Sequence, residues 1–189
     1  ELGEADKGLI EFLMRERHGT PFEHNSFRFH ISCPIFVARE WFRHRIGSFN
    51  EFSGRYSEMR KDAYVPSLSD WRKQTGKPGA YTFEPIASSE ATQMEAILHN
   101  AYKVAFDAYD ELLGLGVAKE QARLVIPVST FTEFYWTVNA RSLMNFLSLR
   151  TNSAAQKEIR EYAQAVEEVF SEIMPCTWSA WVRNGRQCP

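Results

Sequence analysis

The segment that most constrains the fold is the periodic stretch from residue 88 to residue 113. Its apolar residues recur over residues 94–112 at the three- and four-residue spacing of a single helical face. Ser88 and Ser89 are candidate N-caps for this helix, and Gly114 marks its end. The sequence therefore predicts one long helix in the middle of the chain.

Four further helices are predicted from apolar periodicity and capping residues. They cover residues 4 to 17 with Gly19 as the stop, a segment capped by Ser32 that runs towards Arg45, the segment from the Asn139 cap to Arg150, and a segment that starts at the Ser153–Gln156 capping box and is stopped by Pro175.

Two segments alternate as strands do, residues 26 to 31 and residues 129 to 138. Residues 64 to 85 carry several Pro and Gly and little periodicity, which predicts an exposed, mobile excursion. The chain is therefore predicted to be α+β: a single domain over residues 1–189, with a small, mostly antiparallel sheet packed against several long helices, and with helix outweighing strand.

Composition excludes several classes of protein. Of the 189 residues, 44% are hydrophobic and 24% are charged, as in ordinary globular proteins, and no apolar stretch is long enough to cross a bilayer. We therefore expect a cytoplasmic protein with no membrane partner. A net charge of -2 gives no global field for nucleic acid. Three scattered cysteines form neither a disulfide framework nor a metal-ligand pattern, so no metal is expected.

One short run, residues 43–56, concentrates arginine, histidine, serine, asparagine and glutamate without an apolar stripe. Arginine presents a planar fork of donors that fits phosphate, and glycine after Ser53 lets backbone N–H groups approach an anion closely. The composition therefore suggests bound phosphates, but it is equally consistent with a solvated turn whose charges pair with one another.

The order of residues in this run resembles the signature R-H-R-x-x-S-x-N-E-x-S-x-R-Y of the flavin-dependent thymidylate synthases at every fixed position. Residues 139–145 resemble the family's second block, Arg123 with residues 124–127 its nucleotide-binding arginine region, and residues 18–24 its N-terminal flavin segment. The resemblance covers nearly the whole chain.

The resemblance implies a methyltransferase that carries out the reductive methylation of dUMP to dTMP. Methylenetetrahydrofolate would donate the carbon, and FAD reduced by NADPH would supply the hydride. It also implies a homotetramer in which several subunits assemble each active site. No glycine-rich dinucleotide fingerprint occurs, so the implied flavin site is not of the Rossmann type.

The resemblance also implies the site residues, by their matching positions in the family's motifs. The dUMP set is Glu40, Trp41, Phe42, Arg43, Glu51, Phe52, Ser53, Gly54, Arg55, Arg123 and Arg150. The FAD set is His18, Thr20, Glu23, Arg43, His44, Arg45, Asn50, Glu51, Asn139, Ala140, Arg141 and Asn145. Arg150 is the implied catalytic residue, because the family's arginine at this place is thought to favour ionisation of the uracil ring.

Helical geometry bears on the second block. Arg141 and Asn145 are four residues apart and share a face, whereas Arg150 lies about 180° from Arg141 at 3.6 residues per turn. We therefore expect one helix to serve two separated places. Without the resemblance, the sequence favours surface positions on an amphipathic helix for Arg141 and Arg150. It likewise favours a helix C-cap for His18, which stands beside Gly19.

Two features depart from the family pattern. Glu40 stands where many relatives have glutamine beside the nucleotide site. The chain begins at Glu1, and we expect it to lack a short native N-terminal segment that carries flavin contacts.

Two other functions fit parts of the pattern. A nucleic-acid-binding module would use Arg43, His44, Arg45 and Arg55 on phosphates, although the acidic overall balance disfavours it. A flavoprotein reductase would keep the cofactor site and act on another acceptor.

Overall fold

The computed structural model describes residues 2–189, which form seven helices and five strands. The helices are α1 (Glu4–Arg15), α2 (Ile35–Trp41), α3 (Ser88–Gly114), α4 (Lys119–Ala122), α5 (Ala140–Arg150), α6 (Lys157–Ile173) and α7 (Pro175–Arg183). The strands are β1 (Phe27–Pro34), β2 (Ser48–Glu51), β3 (Arg72–Lys77), β4 (Ala80–Pro85) and β5 (Phe131–Val138). The predicted α+β class, with helix outweighing strand, is confirmed.

The chain divides into two compact units. The first contains the N-terminal segment up to Ile31, Val37–Glu51 and Glu133–Pro189, and the second contains Ser32–Phe36 and Phe52–Thr132. Each unit is therefore assembled from segments that are distant in sequence.

The first unit holds most of a three-stranded sheet in which β5 lies between β1 and β2. The inward side chains of β5 alternate as predicted, with Phe134, Trp136 and Val138 buried. Trp41, which ends α2, stacks on Phe146 of α5 with ring centroids 4.7 Å apart. It also meets Trp136 edge-on at 5.3 Å. This aromatic layer fixes α2 and α5 against the sheet, because each large ring buries much apolar surface.

The second unit is built around α3. The Tyr109 hydroxyl accepts a hydrogen bond from the Met59 N–H at 3.0 Å. The Tyr102 hydroxyl donates to the Tyr64 carbonyl at 2.9 Å. These two tyrosines therefore tie the irregular chain before β3 to the long helix.

A hairpin occupies part of residues 64–85, the segment that was predicted to be an exposed, mobile excursion. Strands β3 and β4 pair antiparallel, with Lys77 opposite Ala80. Gly76 and Gly79 adopt φ of 95° and 84°, values that favour glycine in the turn. The prediction missed both strands because nearly every residue in them is exposed, so no apolar alternation marks them.

Several predicted helix boundaries were wrong. Ser32 and Pro34 belong to β1, and α2 begins at Ile35, whose N–H donates to the Thr130 carbonyl at 2.9 Å and so needs no serine cap. Helix α2 also stops at Trp41, short of the predicted Arg45.

The ends of two other helices differ from prediction. The α1 helix ends at Arg15, and the chain leaves it through Arg17, which has a positive φ of 58°. Gly19 is therefore not the residue that ends the helix. The α6 helix begins at Lys157 after a Gln156 N-cap instead of at Ser153. Pro175 ends α6 and opens α7, a first-turn position that suits proline.

The predicted Asn139 cap of α5 is confirmed, because its side-chain oxygen accepts from the Ser142 N–H at 2.9 Å. Within residues 2–189, no helix is both long enough and apolar enough to span a lipid bilayer.

Candidate functional site

Strand pairing brings two of the family blocks together in the first unit. Strand β2 runs antiparallel to β5, with Ser48 opposite Thr137 and Phe49 opposite Trp136. The arginine-rich turn that leads into β2 therefore lies beside the point where β5 ends and Asn139 opens α5. A strand that the sequence did not reveal thus creates this juxtaposition.

Gly47 keeps that turn close to β5. A Cβ atom added at Gly47 would lie 3.0 Å from both the Thr137 carbonyl oxygen and the Trp136 Nε1. Contacts that short require the surrounding atoms to shift, so glycine allows the closest approach of turn and strand.

A cavity of about 1130 Å³ opens beside this turn, and all of its lining residues belong to the first unit. Eight of the lining residues are predicted site residues: Glu23, Arg43, His44, Arg45, Asn139, Arg141, Asn145 and Arg150. Four arginines and one glutamate therefore line a single space. Such a charge balance favours an anionic ligand.

Arg150, the last residue of α5, is held by two acceptors. Its Nη1 forms an ion pair with Oε1 of Glu40 from α2. Its Nε donates to His44 Nε2 at 2.9 Å. The two side chains of the ion pair are only 19% and 24% exposed, so solvent screens their interaction less than that of a surface pair.

His44 is kept neutral by its surroundings. Burial first, and then the neighbouring Arg150 guanidinium, lower the pKa of His44 from 6.5 to about 4. A neutral imidazole can accept a hydrogen bond at Nε2, whereas an imidazolium cannot. The ring also packs edge-on against Phe146, with centroids 4.9 Å apart.

Arg141, in the first turn of α5, is held by the segment that precedes β1. Its Nη1 donates to Glu23 Oε1 at 2.5 Å, and this hydrogen bond raises the pKa of the Arg141 guanidinium. Asn25 ties this segment to the start of α5, since its side-chain oxygen accepts a hydrogen bond from the Ala140 N–H at 2.7 Å. A Cβ atom at Gly19 would lie 2.5 Å from Arg141 Nε. Gly19 therefore leaves the room that Arg141 occupies.

The second unit holds another group of predicted residues. A Cβ atom at Gly54 would lie 3.5 Å from Arg123 Cδ, so the Ser53–Gly54–Arg55 turn is next to Arg123. The Ser53 hydroxyl oxygen accepts from the Arg55 N–H at 3.4 Å. The Arg55 side chain is 53% exposed, and its Nε lies 3.4 Å from Glu120 Oε2. This group offers two guanidinium groups and a serine hydroxyl beside a glycine.

Some predicted residues lie outside these two groups. The side chains of Trp41 and Ala140 have no exposed surface. Phe42 packs edge-on against Phe49 and Phe134 at 5.0 Å. Further predicted residues that do not line the cavity are His18, Thr20, Asn50, Glu51 and Phe52.

Burial limits what Trp41 and Ala140 can contribute to binding. The Trp41 ring belongs to the aromatic core, where it cannot touch a ligand in this conformation. The Ala140 N–H is already engaged by Asn25. His18 stacks on Phe12 with centroids 6.1 Å apart.

The expectation that α5 serves two separated places stays a prediction. Arg141 and Arg150 both line this cavity, although they stand at the two ends of α5. Arg150 stands at the helix end, and Glu40 and His44 draw its long side chain towards the turn that also lines the cavity.

Four lining residues were not predicted: Ile46, Ser142, Leu149 and Cys188. Leu149 follows Asn145 by four residues and Arg141 by eight, so helical periodicity is a signal that would have identified it. Ile46 lies within the arginine-rich run, at one of its variable positions. Nothing in the sequence pattern marks Cys188.

Several known proteins are similar to this chain. The family model described as "Thymidylate synthase complementing protein" matches residues 2–176. A flavin-dependent thymidylate synthase of Thermosipho melanesiensis is 48% identical over 180 residues, which cover 95% of this chain and 78% of that protein. One from Streptomyces avermitilis is 46% identical over 194 residues, which cover 98% and 79%.

A solved structure is also similar. The UMP/dUMP methylase PolB from Streptomyces cacaoi, bound with 5-Br UMP, superposes with a TM-score of 0.95 at 44% identity, covering 98% of this chain and 86% of that one. The resemblance seen in the arginine-rich run is thereby confirmed. The chain belongs to the thymidylate synthase complementing protein family, whose members include the flavin-dependent thymidylate synthases.

Proposed function

We propose that this protein is a flavin-dependent thymidylate synthase, an FAD-containing methyltransferase that converts dUMP to dTMP. In the proposed reaction, methylenetetrahydrofolate donates the carbon and NADPH is the reductant. The observation that carries the proposal is the arginine-lined cavity of the first unit, where the arginine-rich run and α5 meet. We propose a cytoplasmic location for this reaction.

The residues around the cavity fit a flavin dinucleotide. Arg43, Arg45 and Arg141 offer planar donor forks for a pyrophosphate, and Asn139 and Asn145 offer amides for polar edges. The cavity volume of about 1130 Å³ slightly exceeds the upper range of ordinary small-molecule sites, as a large cofactor needs. FAD, when bound, supplies the hydride chemistry that amino-acid side chains lack.

The protein's own contribution is to bind and to orient. Arg150 presents a guanidinium held in one orientation, which suits it to stabilise negative charge on the uracil ring and so to activate C5. In the second unit, Arg55, Arg123 and Ser53 form a group suited to the nucleotide phosphate. A cysteine nucleophile has no place in this scheme.

We further propose that the enzyme is a homotetramer whose active sites draw residues from several subunits. Two exposed apolar side chains on one face of α3 support this assembly, because a contiguous apolar patch in water marks an interaction surface. They are Ile97, 62% exposed, and Val104, 61% exposed, which lie seven residues apart in the helix. Neither nucleic acid nor a membrane enters the proposed function.

A second substrate, UMP, is favoured by the similar methylase of Streptomyces cacaoi, which is described as acting on UMP and dUMP. The assay of the proposed reaction should therefore include UMP beside dUMP. Equal turnover of both would widen the substrate to uridine monophosphates in general.

Tritium release tests the function directly. The purified protein with FAD is given dUMP labelled at C5, and we expect release that needs both NADPH and methylenetetrahydrofolate. Oxidation of NADPH without release would point to a flavoprotein reductase. Failure of the protein to take up FAD, together with salt-sensitive binding to mixed oligonucleotides, would instead favour the nucleic-acid module.

A further inference from the structure

The contact between Glu40 and Arg150 joins the ends of two rigid elements. Glu40 is the second-last residue of α2, and Arg150 is the last residue of α5. Behind them, Trp41 of α2 stacks on Phe146 of α5 at 4.7 Å. Because the backbones on both sides are fixed by this packing, the carboxylate of Glu40 stands at a defined place relative to the guanidinium.

Two acceptors together determine the plane of the guanidinium. His44 accepts from Nε at 2.9 Å, and Glu40 accepts from Nη1. A guanidinium is planar, so acceptors on two of its three nitrogens fix the direction of the third. The Nη2 end is then the end that a ligand in the cavity can still reach, and Arg150 lines that cavity.

Building on the proposed function, we propose that Glu40 is a positioning residue. It orients Arg150 for recognition of the pyrimidine and acts on the nucleotide through that guanidinium instead of touching the nucleotide itself. This assigns to Glu40 a role different from the direct dUMP contact that its place in the sequence implies.

Two properties of the Glu40 side chain act on Arg150 in different ways. Its oxygen acceptor orients Arg150, whereas its negative charge offsets part of the positive charge that Arg150 offers to the uracil ring. Glutamine keeps an oxygen acceptor and removes the charge, so Glu40→Gln should preserve most of the orientation. Glu40→Ala removes both, and it leaves Arg150 held only by His44.

A double-mutant cycle on the FAD-loaded protein tests the role, with dUMP affinity measured by calorimetry. We expect Glu40→Ala to weaken dUMP binding about tenfold or more, and Glu40→Gln to restore most of that loss, to within about threefold of the parent. In an Arg150→Ala background, the further change Glu40→Ala should have almost no effect, because the two residues act as one unit.

A matched control comes from the same unit. Glu11 pairs with Arg183 through a 2.6 Å contact and lies outside the cavity lining. Glu11→Ala removes an ion pair of the same kind, and it should leave dUMP affinity at the parent value.

The outcomes are distinguishable. If Glu40→Ala weakens dUMP binding equally with and without Arg150, Glu40 touches the nucleotide directly and the positioning role is wrong. If Glu40→Ala does not fold, a loss of affinity of tenfold or more in Glu40→Gln also overturns the role, because the acceptor alone then does not suffice. If the parent protein with FAD does not bind dUMP at all, it is the proposed function that fails.

Discussion

Arg150 and Arg55 are both predicted to bind the nucleotide, but the two side chains differ in their exposure and in their contacts. In the first unit, Arg150 is 19% exposed and is held by Glu40 and His44. In the second unit, Arg55 is 53% exposed, with a 3.4 Å contact to Glu120 and its guanidinium 5.3 Å from the Tyr56 ring centroid. A fixed guanidinium suits a directional contact to a planar ring. A more exposed one suits a phosphate, which accepts hydrogen bonds from many directions.

The largest expected effect comes from removing the support behind Arg150. Trp41→Ala empties the centre of the aromatic layer that includes Phe146, against which His44 packs. We expect the free energy of unfolding to fall by about 3–5 kcal/mol, as for other buried aromatic residues. The measurement is urea denaturation followed by tryptophan fluorescence and circular dichroism.

The matched control in the second unit is Phe83→Ala in β4. Phe83 is 55% exposed, so its removal should change the unfolding free energy by at most about 0.5 kcal/mol. Similar losses for the two variants would show that the aromatic layer of the first unit does not dominate stability.

The second prediction compares the two arginines directly. Arg150→Ala should lower kcat by about 100- to 1000-fold while FAD stays bound, because a preorganised donor to developing charge is lost. Arg55→Ala should weaken dUMP binding by about tenfold, since a solvated contact contributes less. Steady-state kinetics with tritium release measure both, and retained turnover in Arg150→Ala would refute its catalytic role.

A smaller effect is expected from Gly19→Ala. The new Cβ would stand 2.5 Å from Arg141 Nε, so the flexible arginine must move away from its contact with Glu23. We expect FAD affinity, measured by quenching of flavin fluorescence in the apoprotein, to fall about tenfold through loss of one charged contact.

Gly8→Ala in α1 is the control for that substitution, because nothing lies within 4 Å of the added Cβ. It should leave FAD affinity unchanged and raise helix stability by up to about 1 kcal/mol. A loss of FAD affinity in both variants would mean that the crowding at Arg141 is not the cause.

The smallest expected effect is a pH dependence of stability that comes from His44. Its folded-state pKa is lowered from 6.5 to about 4, so the unfolded chain takes up a proton more readily. Stability should therefore fall by about 1 kcal/mol as the pH drops from 6.5 towards 4, given solvent screening of a half-buried group. The unfolding free energy of His44→Gln, taken from denaturation curves, should change less with pH over this window than that of the parent. The control variant His99→Gln, at an exposed histidine, should follow the parent.

Much of the site was accessible from the sequence because local rules specify it. The Asn139 cap and the helix to Arg150 follow from capping and periodicity, and the alternation over residues 129–138 predicted the strand β5. Of the arginine-rich run, whose residue order matches a long signature, the predicted residues Arg43, His44 and Arg45 line the cavity.

Other parts depend on contacts between distant segments, which local patterns do not encode. Strand β2 has four residues within a charged run and is defined by its register with β5. The role of Gly19 depends on where Arg141 lies, and α2 takes its first backbone contacts from the segment before β5. The exposed hairpin of β3 and β4 carries no apolar alternation to detect.

The central claim is that the held guanidinium of Arg150 meets the pyrimidine of a bound nucleotide. A crystal structure of the protein with FAD and 5-Br dUMP tests it, because the bromine atom at C5 is located by its anomalous scattering. We predict the bromine on a pyrimidine whose oxygen accepts from Arg150 Nη2, while Glu40 and His44 keep their contacts to Nη1 and Nε. A bromine peak remote from Arg150 of every subunit in the crystal would contradict the claim.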